Sequence, residues 1–106
     1  MVETSWSTRL LRLIDSKEAS GELPSLRETS IYLIGSGRTR NDPADLDLVI
    51  VYDPTQVSSR YALFLRNELA TTVEGTFGLS VDICLLSTSE ADQSQFLEEE
   101  RAVLIR

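Results

Sequence analysis

The stretch Ile31-Tyr-Leu-Ile-Gly-Ser-Gly-Arg-Thr-Arg-Asn-Asp-Pro-Ala-Asp-Leu-Asp-Leu-Val-Ile-Val-Tyr-Asp53 decides the fold. An apolar run, Ile31 to Ile34, meets Gly35-Ser36, and a polar loop follows. A second apolar run, Leu46 to Tyr52, begins just after Asp45 and contains Asp47. Both runs are too continuous for strands with one wet face, and they read as central strands covered on both sides. Side chains two apart in a strand share a face, so Asp45 and Asp47 point the same way. Two like charges held side by side repel each other. A divalent cation relieves that repulsion, and hard oxygen ligands suit Mg²⁺. A third acid, Asp82, interrupts another apolar run, Leu79-Ser-Val-Asp-Ile-Cys-Leu-Leu86. Three carboxylates on apolar strands, preceded by a Gly-Ser turn, point to a metal–nucleotide site.

The 106 residues are read as one domain, with 42% hydrophobic and 25% charged residues, enough to build a core without staples. The single cysteine, Cys84, excludes an internal disulfide and reads as a small buried hydrophobe inside its apolar run. The N-terminus is polar, with no signal-peptide pattern, and no apolar run approaches the roughly 20 residues of a membrane span. A cytoplasmic location is therefore expected, with no membrane partner. The absence of histidine excludes His-dependent triads and zinc sites built on His. A formal net charge of −7 argues against extended nucleic-acid binding, which needs a basic surface. Arg38 and Arg40 form a local basic pair beside Gly35-Ser36. They suit a phosphate group, the alternative being two solvated loop arginines.

Trp6, Leu10, Leu13 and Ile14 recur at helical spacing and predict a helix over about 5–19, capped from Thr4, Ser5 or Ser7 and stopped by Gly21 and Pro24. Its apolar face is expected to cover the sheet, the alternative being an interface. Val57, Tyr61, Phe64, Leu65 and Leu69 form a stripe that predicts a helix over about 55–72. Gly75 and Gly78 then punctuate a loop before a strand over Leu79 to Leu86. Ser87 and Glu90 are spaced as a capping box, opening a polar helix through about Glu99, and a short strand over 102–105 closes the chain. Glu98-Glu-Glu100 reads as a solvated helix face. The loop between Gly35 and Ala44 is too long for a tight hairpin and is expected to begin with one helical turn at Gly35-Ser36. The fold class is α/β, a small mixed sheet with helices packed on it.

These residues resemble the minimal nucleotidyltransferases of the DNA-polymerase-β-like superfamily, with its palm fold. That family combines a strand ending in Gly-Ser, a loop of about ten residues, an Asp-x-Asp opening the next strand and a third Asp on a later strand. Here the corresponding residues are Gly35-Ser36, Asp45-Leu46-Asp47 and Asp82, and the resemblance runs from about Thr29 to Ile105. The loop from Ser36 to Asp45 holds eight residues, slightly short for the family. Many minimal members read Gly-Ser-x-Ala-Arg-Gly where this chain reads Gly-Ser-Gly-Arg-Thr-Arg, so the arginine is displaced by one position in either direction.

The resemblance implies transfer of a nucleoside monophosphate, with ATP the default donor and Mg²⁺ the metal. Asp45, Asp47 and Asp82 would be the catalytic and metal-holding acids, with a two-metal site implied. Gly35, Ser36, Arg38 and Arg40 would hold the triphosphate. Larger relatives carry a second domain for the acceptor, which this chain has no room for. The implied partner is therefore a protein: the helical HEPN-type ribonuclease of a prokaryotic toxin–antitoxin pair, adenylylated on a tyrosine. Two other classes stay open. One is a nucleotidyltransferase for a small molecule or RNA that works with a separate partner subunit. The other is a non-catalytic binding module of the same fold. For the acids themselves the plain alternatives are an exposed turn around Asn41 to Asp45, and an edge-strand acid at Asp82. Asp42 and Asp53 read as loop residues.

Overall fold

A computed structural model describes residues 4–106. The first helix, α1 (Trp6–Ala19), opens with the Ser5 side chain accepting a hydrogen bond from the Thr8 N–H, as its sequence cap predicts. Two strands follow, β1 (Thr29–Ile34) and β2 (Asp45–Tyr52), separated by a 3-10 helix over Gly35–Arg38 where the helical turn is expected. Then come α2 (Ser59–Phe77), β3 (Ser80–Ser87), α3 (Thr88–Ser94), α4 (Phe96–Glu99) and β4 (Val103–Leu104). The strands form one sheet in the order β3-β2-β1-β4. It is mixed: β1 runs antiparallel to both β2 and β4, whereas β2 and β3 are parallel. The fold is thus α/β with a four-stranded mixed sheet, and β1 and β2 are its central strands.

Alternation along β1 and β2 divides the core between two faces. Ile31, Leu33, Leu46, Leu48 and Ile50 are buried against Leu10 and Ile14 of α1 and Leu65, Leu69 and Val73 of α2. Each such fully buried Leu or Ile side chain contributes about 1.5–3 kcal/mol of hydrophobic stabilisation. The opposite face is smaller. There Val49 and Val51 pack with Ala91 of α3, and Tyr32, Ile34, Leu86, Phe96 and Leu97 flank them. The first helix therefore packs on the sheet as expected.

Four expectations are corrected. The second helix starts at Ser59, with Ser58 as its cap, and runs through Gly75 to Phe77, where Gly78 adopts the left-handed conformation that stops it. Its buried stripe is Ala62, Leu65, Leu69 and Val73, while Tyr61 and Phe64 are exposed. Residues 62, 65, 69 and 73 recur every three or four positions and take the core side, which turns the preceding positions 61 and 64 outward. The final helix is broken at Gln95, whose positive φ of 53° separates α3 from α4. Cys84 is exposed, because β3 is an edge strand and the thiol lies on the sparsely covered face. The Ser87–Glu90 capping box and the short last strand are present as expected. Among the described residues, no helix is long and apolar enough to cross a membrane.

Candidate functional site

The strand pairings bring the sequence-predicted acids together. Asp47 pairs with Asp82 across the parallel β2–β3 ladder and with Ile34 across β1–β2. Asp45 lies two residues before Asp47, so all three carboxylates share one face, the one that carries Val49 and Cys84 further along. Asp45 and Asp82 are exposed and Asp47 is half-buried. α3 and α4 pack over the opposite end of this face, near Val49 and Val51.

The Gly-Ser turn sits directly against these acids. Gly35 follows Ile34, the β1 partner of Asp47, and has a φ of +73°. A Cβ built there would stand 2.7 Å from Asp47 Oδ2. Both the left-handed backbone and the close approach therefore require glycine. The Ser36 carbonyl accepts hydrogen bonds from the Thr39 and Arg40 N–H groups at 3.2 and 2.9 Å. The Arg38 guanidinium folds back and donates through Nε to the Gly35 carbonyl at 3.2 Å, bracing the turn. Arg40 is exposed and lies 3.5 Å from Asp42, itself exposed, in a weak surface pair. Asp53, just past the end of β2, accepts hydrogen bonds from the Thr55 N–H and hydroxyl and belongs to a turn, as its loop reading anticipates.

Electrostatics single out Asp47. Partial burial, then the charges of Asp45, Asp82 and Glu100, push its carboxyl above the usual carboxylate range. Glu100 is the acid that sequence reasoning missed. β4 runs antiparallel to β1, with Val103 beside Leu33, so the residues just before Val103 approach the Ile34–Gly35 end of the sheet. That placement depends on which strand β4 joins, and the Glu98-Glu-Glu100 run carries no local signal of it.

Asp45, Asp47 and Asp82 are oxygen donors on one face, beside a turn whose backbone comes close because it lacks a Cβ. In donor type and sidedness they suit Mg²⁺. Among the described residues, no three acids, cysteines or histidines close into a cage around an ion. Two surface depressions, of about 460 and 330 Å³, lie elsewhere, beside Glu18 and Arg27 and beside Leu86 and Glu90.

No family model, no curated protein and no solved structure matches the chain.

Proposed function

We propose that this protein is a Mg²⁺-dependent nucleotidyltransferase of the polymerase-β-like kind, which transfers a nucleoside monophosphate, AMP from ATP, to a hydroxyl group. The observation that carries the reading is the pairing of Asp47 with Asp82 beside Asp45, with the Gly35 backbone packed against the Asp47 carboxylate. Three mutually repelling carboxylates on one face lower the stability of the apo protein, and a cation or a metal–nucleotide complex relieves that. The order of the Gly-Ser turn, Asp-x-Asp strand, helix and third-Asp strand supports the same reading.

In this mechanism the acceptor oxygen forms a bond to the α-phosphorus while the bond from that phosphorus to the bridging α–β oxygen breaks. Pyrophosphate departs with the bonding electrons. Asp82, exposed at the edge strand, receives the hydroxyl proton or passes it to water. N–H groups of the Gly35–Arg38 turn and the Ser36 hydroxyl hold the β- and γ-phosphates. Arg38 keeps the turn in shape. Arg40 must leave Asp42 to reach a phosphate. Asp45, Asp47 and Asp82 are the residues that would hold Mg²⁺, which would supply positive charge against the charge growing on the entering and leaving oxygens.

A hydroxyl on a partner protein is the acceptor we favour, and a HEPN-type helical ribonuclease, as in toxin–antitoxin pairs, is the partner the family resemblance suggests. An acidic chain, formally −7, is matched to a basic RNA-cutting partner. Calorimetric titration with ATP and Mg²⁺, wild type against Asp45→Asn/Asp47→Asn, tests the reading. Metal-dependent binding that the double variant loses supports it. A wild type that binds no Mg–ATP, with or without candidate partner, removes it in favour of a non-catalytic module.

A further inference from the structure

The loop over 39–44 delivers Asp45 to the site, yet it has no regular structure of its own. Its first N–H groups, at Thr39 and Arg40, are tied to the Ser36 carbonyl. Beyond them the chain is irregular until β2 begins at Asp45. Trp6 reaches into this stretch from a distant part of the sequence. Its indole Nε1–H donates to the Asn41 carbonyl at 3.2 Å.

Trp6 is well placed to hold a loop. It is buried, with 6% of its surface exposed, at the first position of α1. Its ring meets Phe77 edge-on, with centroids 4.9 Å apart and planes at 80°. The Arg9 guanidinium lies 4.8 Å over the ring. Helix α1, the end of α2 and a cation thus fix the indole plane, and the N–H, which lies in that plane, is aimed at the loop. A buried indole N–H needs an acceptor, and here the acceptor is loop backbone outside α1. From Asn41 only three residues lead to Asp45, and one of them, the buried Pro43, has a fixed φ. Little slack separates the anchored carbonyl from the first carboxylate.

We propose that Trp6 is a positioning residue: its indole N–H pins the loop at Asn41, and through it α1 sets the position of Asp45 in the carboxylate site. The role in ligand binding rests on the nucleotidyltransferase reading above, whereas the pinning of the loop does not. Packing alone would leave the N–H dispensable. The pinning role makes the N–H itself matter, separately from the ring.

The test uses two variants of the whole chain. Trp6→Phe removes the N–H and part of the ring. Replacing Trp6 by benzothienylalanine, in which sulfur stands for the N–H, keeps the bicyclic ring and guards against a variant that fails to fold. Hydrogen exchange is followed amide by amide, without ligand and then with ATP and Mg²⁺. In both variants the amides over 39–45 exchange faster while those of β1 and β2 keep their protection, and Mg–ATP affinity falls about two- to tenfold, the equivalent of one hydrogen bond. Unchanged loop exchange in the benzothienylalanine protein overturns the pin. Faster loop exchange with undiminished Mg–ATP affinity overturns the positioning of Asp45. If the wild type binds no Mg–ATP while loop exchange rises in the variants, the nucleotide reading fails and the pin stands. Trp6 is the sole tryptophan, so its emission reports the same contact.

Discussion

Asp47 of β2 stands directly across the parallel ladder from Asp82 of β3, two carboxylates in register with a third, Asp45, one strand repeat away. Chains seldom place like charges opposite each other on neighbouring strands, since such pairs are destabilising. Burial and the neighbouring acids hold the Asp47 carboxyl above its usual range, a cost to the folded protein that the proposed Mg²⁺ would offset.

Asp47→Asn is therefore expected to stabilise the ligand-free protein at pH 7 by up to about 1 kcal/mol, the scale of charge interactions with exposed partners, while abolishing Mg²⁺-dependent nucleotide binding. The folded-state carboxyl titrates above its ordinary value of 3.8, because of burial and the neighbouring acids. Below 3.8 both folded and unfolded chains hold the proton and the wild type carries no penalty. The penalty grows as pH rises through the raised pKa and is complete above it. Urea melts of both proteins from pH 3.5 to 7.5 measure this, and the gap between them should widen with pH. A variant less stable than wild type at pH 7 would contradict the electrostatic account.

Gly35→Ala tests the turn. The substitution forces a Cβ to within 2.7 Å of Asp47 Oδ2, from a backbone at φ +73° that L-residues disfavour. A loss of about 1–2 kcal/mol is expected from the backbone conformation, together with weakened Mg–ATP binding. Gly21→Ala is the control: its φ is +80° and nothing lies within 4 Å of the added Cβ, so it carries the backbone cost alone. If both variants bind nucleotide like wild type, the close approach at Gly35 has no functional meaning.

The last residue is tied to the first helix. Arg106 bonds both carboxylate oxygens of Glu18 and reaches Asp15 at 3.2 Å. Burial opposes the Glu18 charge, but bonds from Arg106 and the Leu26 N–H, with the Arg106 and Arg27 charges, outweigh it and hold the carboxyl below its usual range. Its stabilisation is complete above the ordinary value of 4.5 and is lost as pH falls through the depressed pKa. Glu18→Gln should cost about 1–2 kcal/mol at pH 7, and the difference from wild type should shrink toward pH 3. Thermal melts across that range give the answer.

Cys84 is open to reagents in the native protein. Burial and the nearby Glu90 raise its thiol above the ordinary value, and Arg66 offsets this only in part. Native maleimide labelling should go to completion without denaturant, and its rate should climb steadily from pH 7 to 9 as the thiolate forms. Protection of the thiol until unfolding would mean that the β3 edge is covered in solution.

The sequence by itself determined the local elements and their chemical cargo. The apolar runs around Gly35-Ser36 are strands because their residues favour burial on both faces, and Ser5, Ser87 and Glu90 cap helices through bonds that span three residues. Such features depend on neighbours in the chain, so they are legible there. Asp45 and Asp47 share a face by strand alternation alone. What only the tertiary structure decided is who stands next to whom. Asp82 lies opposite Asp47 because β3 joins β2 in parallel in one particular register, and a shift of one residue would send it to the other face. Cys84 and Asp82 are exposed because β3 takes the edge of the sheet. Glu100 reaches the field of Asp47 because β4 pairs with β1 on the far side. Trp6 finds Asn41 across 35 positions of sequence. These relations follow from strand order and packing between distant segments, and no periodicity within one segment encodes them.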